Sequence, residues 1–283
     1  RMVMMGLHFM KKVPFNSVYI HPLVKDEKGD KMSKSKGNVI DPLHLINLYG
    51  ADALRFTLTN LSTQGQDIKL SDKLVENGRN FITKLWNVAR FSQFNKFSSK
   101  KNYNPQKNIL LINKWINFKF IHAQKNVLKH LGKYKFNLII SDLYHFIWSD
   151  FCDLYIEFSK FYLKDKKNFS EISSNFSYIF KNILNLINPI IPFVTEKISK
   201  ELGYSSESLY HKEFSKTNQN TINKSELFNF ESLINLVKEI RFRLKCFEKN
   251  KKISLYILSK KKFFWLDDHY LLLKGIFNFE EIN

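Results

Sequence analysis

Lys31-Met32-Ser33-Lys34-Ser35-Lys36-Gly37-Asn38-Val39-Ile40-Asp41-Pro42 sets two ammonium groups, Lys31 and Lys34, three residues apart, with hydroxyls at Ser33 and Ser35 and a flexible Gly37 behind them. Such a segment can wrap a polyphosphate and neutralise the charge that builds up as it departs, which is electrostatic catalysis by positioned donors. A solvated turn in a lysine-rich chain would use the same letters, so the flanks decide. Upstream, Val18-Tyr19-Ile20 and Leu23-Val24 predict a strand over 18–24 that leads into Asp26-Glu27-Lys28-Gly29-Asp30, a charged turn closed by glycine. Downstream, Asp41 suits an N-cap and Pro42 the first position of a helix, Leu43 to Leu48, that ends at Gly50.

Working outward, the 283 residues are 44% hydrophobic, enough to bury a core in two or three units. No run of about 18 apolar residues exists, which argues against a membrane span. Residues Met2 to Met10 are apolar but precede Lys11 and Lys12, the reverse of a secretory signal, and read as a helix tail stopped before Pro14. Beginning at Arg1, the chain reads as an internal fragment or the late part of a gene. Cys152 and Cys246 lie far apart without paired spacing, so neither a disulfide framework nor a metal site is expected, and a reducing cytoplasm fits.

The net charge is +19. Heavy use of Lys, Asn, Ile and Phe can follow from an A+T-rich genome, but that bias would not delete acids, and Asn77 through Ser141 contains no Asp or Glu. Arg79, Lys84, Arg90, Lys114 and Lys119 are among the cations of this segment. One-signed charge over such a length is a polyanion footprint, or else a solvated lysine face with no partner.

From Ser71 onward the period is helical. Ser71 is expected to cap a helix carrying Leu74, Phe81, Leu85 and Val88, with Trp86 packed against the core. After a polar gap, Ser98 to Asn108, further helices are predicted over 112–131, 138–161, 174–186 and 192–202. Cys152 falls on the apolar side of the second of these, as a core cysteine, and Asp153 and Glu157 beside so many lysines are expected in ion pairs. A linker follows over 203–224, then a helix around Leu233, Val237 and Ile240, a strand over Ile253 to Leu258 and a helix from Trp265 to Ile276.

The loop resembles that of class I aminoacyl-tRNA synthetases. Arg1-Met2-Val3-Met4-Met5-Gly6-Leu7, Asn80-Phe81-Ile82-Thr83-Lys84-Leu85-Trp86-Asn87, Phe151-Cys152-Asp153-Leu154-Tyr155-Ile156-Glu157 and Pro192-Phe193-Val194-Thr195-Glu196 resemble, in order, the carboxy-terminal part of the valyl branch. Pro22, Asn188 and Ile190 depart from that pattern. The resemblance implies a mainly α chain: the end of a Rossmann-like α/β catalytic domain with a stem-contact module (1–70), a helical-bundle anticodon-binding domain (71–224) and a small α/β appendix (225–283). It implies ATP, with Mg2+ bound through it, held by Lys31, Met32, Ser33, Lys34 and Ser35, with Lys34 and Lys31 catalytic. It implies valine and tRNA(Val) as substrates, tRNA contacts from Arg79, Lys84, Arg90, Lys114 and Lys119, and an amino-terminal half of the same enzyme that is missing here. An isoleucyl enzyme and a non-catalytic tRNA-binding fragment are the alternative readings.

Overall fold

The computed structural model of the chain describes residues 1–98, 103–214, 222–244, 256 and 270–277, with Lys34 and Leu271 described by backbone alone. The fold is mainly α. Its first helix, α1 (Met2–Met5), widens into a π-helical turn, Gly6–Met10, and stops where Lys11 turns left-handed at φ 55°. Among the described residues the sheet has two strands: β1 (Val24–Lys25) runs parallel to β2 (Ile68–Lys69), with Val24 opposite Ile68. The strand expected over 18–24 therefore contracts to its last residue and one beyond. β2 offers only two residues of backbone to pair with, and Val18, Ile20 and Leu23 lie exposed.

Helices α2 (Pro42–Tyr49) and α3 (Ala51–Leu61) follow the loop. The Asp41 carboxylate accepts from Leu43 N at 2.9 Å and Pro42 takes the first turn, as the sequence predicts. Gly50, at φ 90°, ends one helix and starts the next, a backbone region that other residues enter only with strain. Leu45, Ala53, Leu54, Ile68, Leu70 and Val75 form a small core under these elements.

Helix α4 (Asp72–Phe94) carries the chain from this small core into a large one, burying Phe81, Leu85 and Val88 there. Ser71 occupies its N-cap position, but the side chain makes no capping bond, contrary to expectation; at this end Leu74 N and Val75 N donate to the Ser71 carbonyl. Gly78 lets α4 press against α3, since a Cβ there would stand 2.7 Å from Thr57 Oγ1 and 2.8 Å from the Ala53 carbonyl. Alanine in a helix normally gains up to about 1 kcal/mol over glycine, whereas overpacking against backbone costs about 1–3 kcal/mol. Gly78→Ala is therefore expected to lower the thermal midpoint; an unchanged or raised midpoint would show that the two helices separate freely.

The large core is a bundle of α5 (Leu111–Leu131), α6 (Phe136–His145), α7 (Glu157–Tyr162), α8 (Lys166–Ile187) and α9 (Pro192–Glu201). Between α6 and α7 the helix continues as an eleven-residue π-helical stretch, Phe146–Ile156, a winding that a 3.6-residue period does not reveal. Phe151 and Tyr155, wholly buried on it, meet Phe176 and Phe180 of α8 at ring separations of 5.3 to 6.5 Å. Each such ring contributes about 1.5–3 kcal/mol through burial. Helix α8 begins well before the expected residue 174 because Asp165 caps it, accepting from Lys167 N at 2.9 Å.

Helix α10 (Lys224–Leu244) closes the same core, placing Phe230 against Trp115 at 5.7 Å and Phe158 at 6.1 Å. Helix α11 (Tyr270–Phe277) adds Leu272 and Leu273. The strand expected over 253–258 lies outside the described residues except for Tyr256, as does the first part of the helix expected from Trp265.

Candidate triphosphate loop and nucleic-acid interface

The loop opens on the turn predicted at Asp26 to Asp30. Gly29, at φ 91°, donates to the Asp26 carbonyl, Asp30 N donates to Asp26 Oδ1 at 2.7 Å, and Lys25 bridges Lys31 across it. Beyond it, Lys34–Lys36 form one 3-10 turn and Gly37 a left-handed exit at φ 65°. Ser33 Oγ lies 3.2 Å from Ser35 Oγ and accepts from Lys36 N, so the two hydroxyls face one another. Lys31, Ser35 and Lys36 are exposed, while Met32 and Ser33 are half-buried. The direction of the Lys34 side chain lies outside the described residues.

Asn38 holds this geometry, and sequence reading missed it. Its Oδ1 accepts from Ser33 N at 2.9 Å, while its Nδ2 donates to Asp26 Oδ2 at 2.8 Å and to the Lys31 carbonyl at 3.3 Å. One amide thus ties the two stems of the loop and leaves the lysine-serine tip outside the tether. The Asn38 amide, helped by backbone N–H groups, holds the Asp26 carboxyl below its usual range. An asparagine just after a loop glycine was the available signal.

The five cations singled out on α4 and α5 do not share one environment. Arg79 is exposed, pairs with Glu76 at 3.1 Å and lies over the Tyr49 ring. Arg90 is exposed at the far end of α4. Lys84 is half-buried, 2.9 Å from Asp153 and 4.8 Å from the Trp148 ring centre. Lys114 and Lys119 reach across to α10, meeting Glu226 at 3.5 Å and Glu231 at 2.7 Å. The segment without acids is therefore met by acids from elsewhere in the chain. Glu157 pairs with Lys160 and Asp153 with Lys84, as expected of carboxylates among lysines. Cys152 is a core thiol, which burial pushes up to about 12.

Two residues of α3 fasten the loop-bearing region to the bundle. Asp52 accepts from Val194 N at 2.7 Å and Phe193 N at 3.4 Å, capping α9, and Arg55 donates to the carbonyls of Ile190 and Pro189. Burial raises the Asp52 carboxyl above its ordinary value, against the pull of those two N–H groups.

Residues 113–257 match the anticodon-binding domain of tRNA ligases, and residues 1–71 match the class I tRNA synthetases of the I, L, M and V group. The chain belongs to the class I tRNA synthetases. This synthetase chain is 48% identical over 200 residues to a valine–tRNA ligase of Bradyrhizobium diazoefficiens, covering 70% of this chain and 21% of that one. It is 40% identical over 246 residues to the valine–tRNA ligase of Zymomonas mobilis, covering 85% and 28% respectively. Its fold is similar to that of LeuRS in a LeuRS-tRNA-LeuAMS ternary complex of Agrobacterium radiobacter K84 agnB2, with a TM-score of 0.62 at 19% identity, over 86% of this chain and 32% of that one. The chain thus spans 21% and 28% of the length of these two ligases. No helix among the described residues is long and apolar enough to cross a membrane.

Proposed function

We propose that this chain is the loop-bearing, tRNA-binding part of a cytoplasmic valine–tRNA ligase, which joins valine to ATP with release of pyrophosphate and then passes the valyl group to tRNA(Val). The observation that carries the proposal is the exposed lysine-serine tip, free of its own tether at Asn38 and joined in one chain to a cation-bearing bundle. Residues 1–70 act as the end of the catalytic domain, 71–224 as the anticodon-binding bundle and 225–283 as an appendix. Met2, Met4, Phe9, Met10 and Ile20 are all more than 60% exposed, an apolar face suited to the remaining part of the catalytic domain.

Lys34 and Lys31 hold the β and γ phosphates and stabilise the departing pyrophosphate, with Met32, Ser33 and Ser35 lining the nucleotide. The hydroxyl pair and the exposed cations fit a triphosphate, and Mg2+ enters bound to the phosphates' own oxygens. Exposed Arg90 meets RNA phosphates directly, and Arg79 reaches them from its exposed pair with Glu76. Lys84, Lys114 and Lys119 are held in partly exposed pairs whose worth is about 1 kcal/mol or less, so a phosphate can take over from their carboxylates. Arg90→Ala is expected to weaken tRNA binding several-fold, equally for all tRNAs, and to lower the slope of log affinity against log salt by about one. Titration at four salt concentrations checks it, and an unaltered slope removes Arg90 from the interface.

Charging of purified tRNA(Val) and tRNA(Ile) by the complete enzyme tests the whole assignment. Preferential valylation of tRNA(Val) is expected; equal or isoleucyl charging would overturn it. The alternative reading, a non-catalytic tRNA-binding fragment, would bind tRNA with no valine-dependent pyrophosphate exchange.

A further inference from the structure

Between the loop-bearing end of the chain and the bundle lies a cavity of about 450 Å3. Val24 of β1, Ile68 of β2 and Leu58 of α3 line it from one side; Val127, Phe136, Ile139 and Leu186 line it from the bundle. Ile68, Val127, Ile139 and Leu186 are buried, so the walls are interior surface and not an outer face. Protein interiors pack as densely as organic crystals and leave few voids larger than a water molecule. Pockets that hold small molecules run from about 300 to 1,000 Å3, with mostly apolar walls and a few placed polar groups. This cavity has those dimensions and that lining.

Its polar side chains, His21, Thr59 and Ser62, all come from the loop-bearing side. Hydrogen bonds within the protein fix what two of them can offer. His21 Nδ1 lies 2.9 Å from the Pro22 carbonyl, which can only accept, so the ring proton sits on Nδ1 and Nε2 of the neutral ring is left as an acceptor. The Thr59 hydroxyl donates to the Arg55 carbonyl at 2.7 Å, which leaves its oxygen as a second acceptor. Among the described residues no Asp or Glu lines the cavity, so a cationic donor would find no counter-charge there.

We infer that the cavity is a binding site for a small neutral aromatic molecule with one N–H or O–H donor, of the indole or phenol class. Phe136 and Phe214 in the lining favour a ring over an alkyl chain, through ring–ring contact. The donor meets His21 Nε2 or the Thr59 oxygen at the mouth, where His21 is exposed. Such an occupant touches β1, which runs straight into the turn that opens the loop, and α8 of the bundle at once. Binding therefore stiffens the joint between the loop and the bundle.

The test is calorimetry with indole, and with indene, which has the same two-ring shape without the N–H, against this chain and against the complete enzyme. Indole is expected to bind both with a negative heat-capacity change, the mark of apolar burial. It is expected to bind about fivefold more tightly than indene, the scale of one hydrogen bond, and His21→Ala with Thr59→Val removes that preference. Leu131→Trp, at a lining residue 40% exposed and so with room to enlarge, fills the cavity and weakens indole about 10-fold. Leu58→Phe, a smaller enlargement, is measured beside it, so that a folding defect in one variant does not decide the matter. Equal affinity for indole and indene, binding that survives both enlargements, or no binding to the complete enzyme overturns the inference. Binding to this chain that vanishes in the complete enzyme also overturns it, since the rest of the enzyme then fills the cavity. None of these outcomes touches the proposed ligase function, which charging of tRNA decides.

Discussion

Replacing Lys34 by alanine in the complete enzyme is expected, on the proposed function, to slow valyl-adenylate formation roughly 100-fold and to leave tRNA affinity within about twofold, because one removed donor to developing charge costs on the order of 3 kcal/mol at the transition state. The expectation follows from where charge appears. In-line attack on the α-phosphate moves charge onto the β and γ phosphates as pyrophosphate leaves. A cation delivered by the loop tip lowers the energy of that state more than the energy of bound ATP. The tip suits the proposed delivery: Asn38 fixes the stems to Asp26 and Ser33, while Ser35 and Lys36 lie out in solvent. Lys31→Ala is expected to cost less, since its backbone is pinned to Lys25 in the stem. Pyrophosphate exchange on the three forms checks both statements; equal rates for Lys34→Ala and the parent would remove the loop from catalysis.

The largest loss of stability is expected from Asn175→Leu. This side chain, fully buried on α8, is the hub of a polar cluster inside an aromatic core. Its Oδ1 accepts from Asn117 Nδ2 at 2.6 Å, Asn108 Nδ2 at 3.0 Å and the Tyr103 hydroxyl at 2.8 Å, whose proton is shared with Asn108 Oδ1. Its Nδ2 donates to Asn113 Oδ1 at 3.1 Å and to the Tyr155 hydroxyl at 3.0 Å. Asn113 in turn donates to Glu171 Oε1, which also accepts from Ile109 N and Leu110 N at the start of α5. A leucine keeps much of the volume but leaves several buried groups without partners, each costing about 1–3 kcal/mol. Allowing for overlap, the loss is about 3–5 kcal/mol, a large share of the 5–15 kcal/mol by which domains are stable. Denaturant unfolding of this variant checks it, beside Asn185→Ala, where only a bond to the Glu213 carbonyl is lost and about 1 kcal/mol is expected. Comparable midpoints would mean that water replaces the hub.

Sequence reading found Asp41-Pro42 and Gly29 because a cap and a left-handed turn are set within three or four residues. It found the buried stripe of α4, with Phe81, Leu85 and Val88, because a repeated period survives whatever the partner. It did not find Asn38 as a tether, since that role is defined by Asp26, twelve residues earlier. It also missed the Asn175 hub, whose members come from four separate stretches between Tyr103 and Asn175 and look like ordinary polar positions one at a time.

The amino-acid sequence by itself determined the lysine-serine tip, its capped helix, the helical class and the kinship with the synthetases, all carried by residue type and short spacing. Tertiary structure decided which cations are met across the fold. Lys114 and Lys119 meet Glu226 and Glu231, each 112 residues further along, while Arg79 pairs within its own helix with Glu76 and Arg90 stays exposed. Charge adds along a sequence, but its cancellation depends on distance through space, and only the packed helices bring those carboxylates within 4 Å.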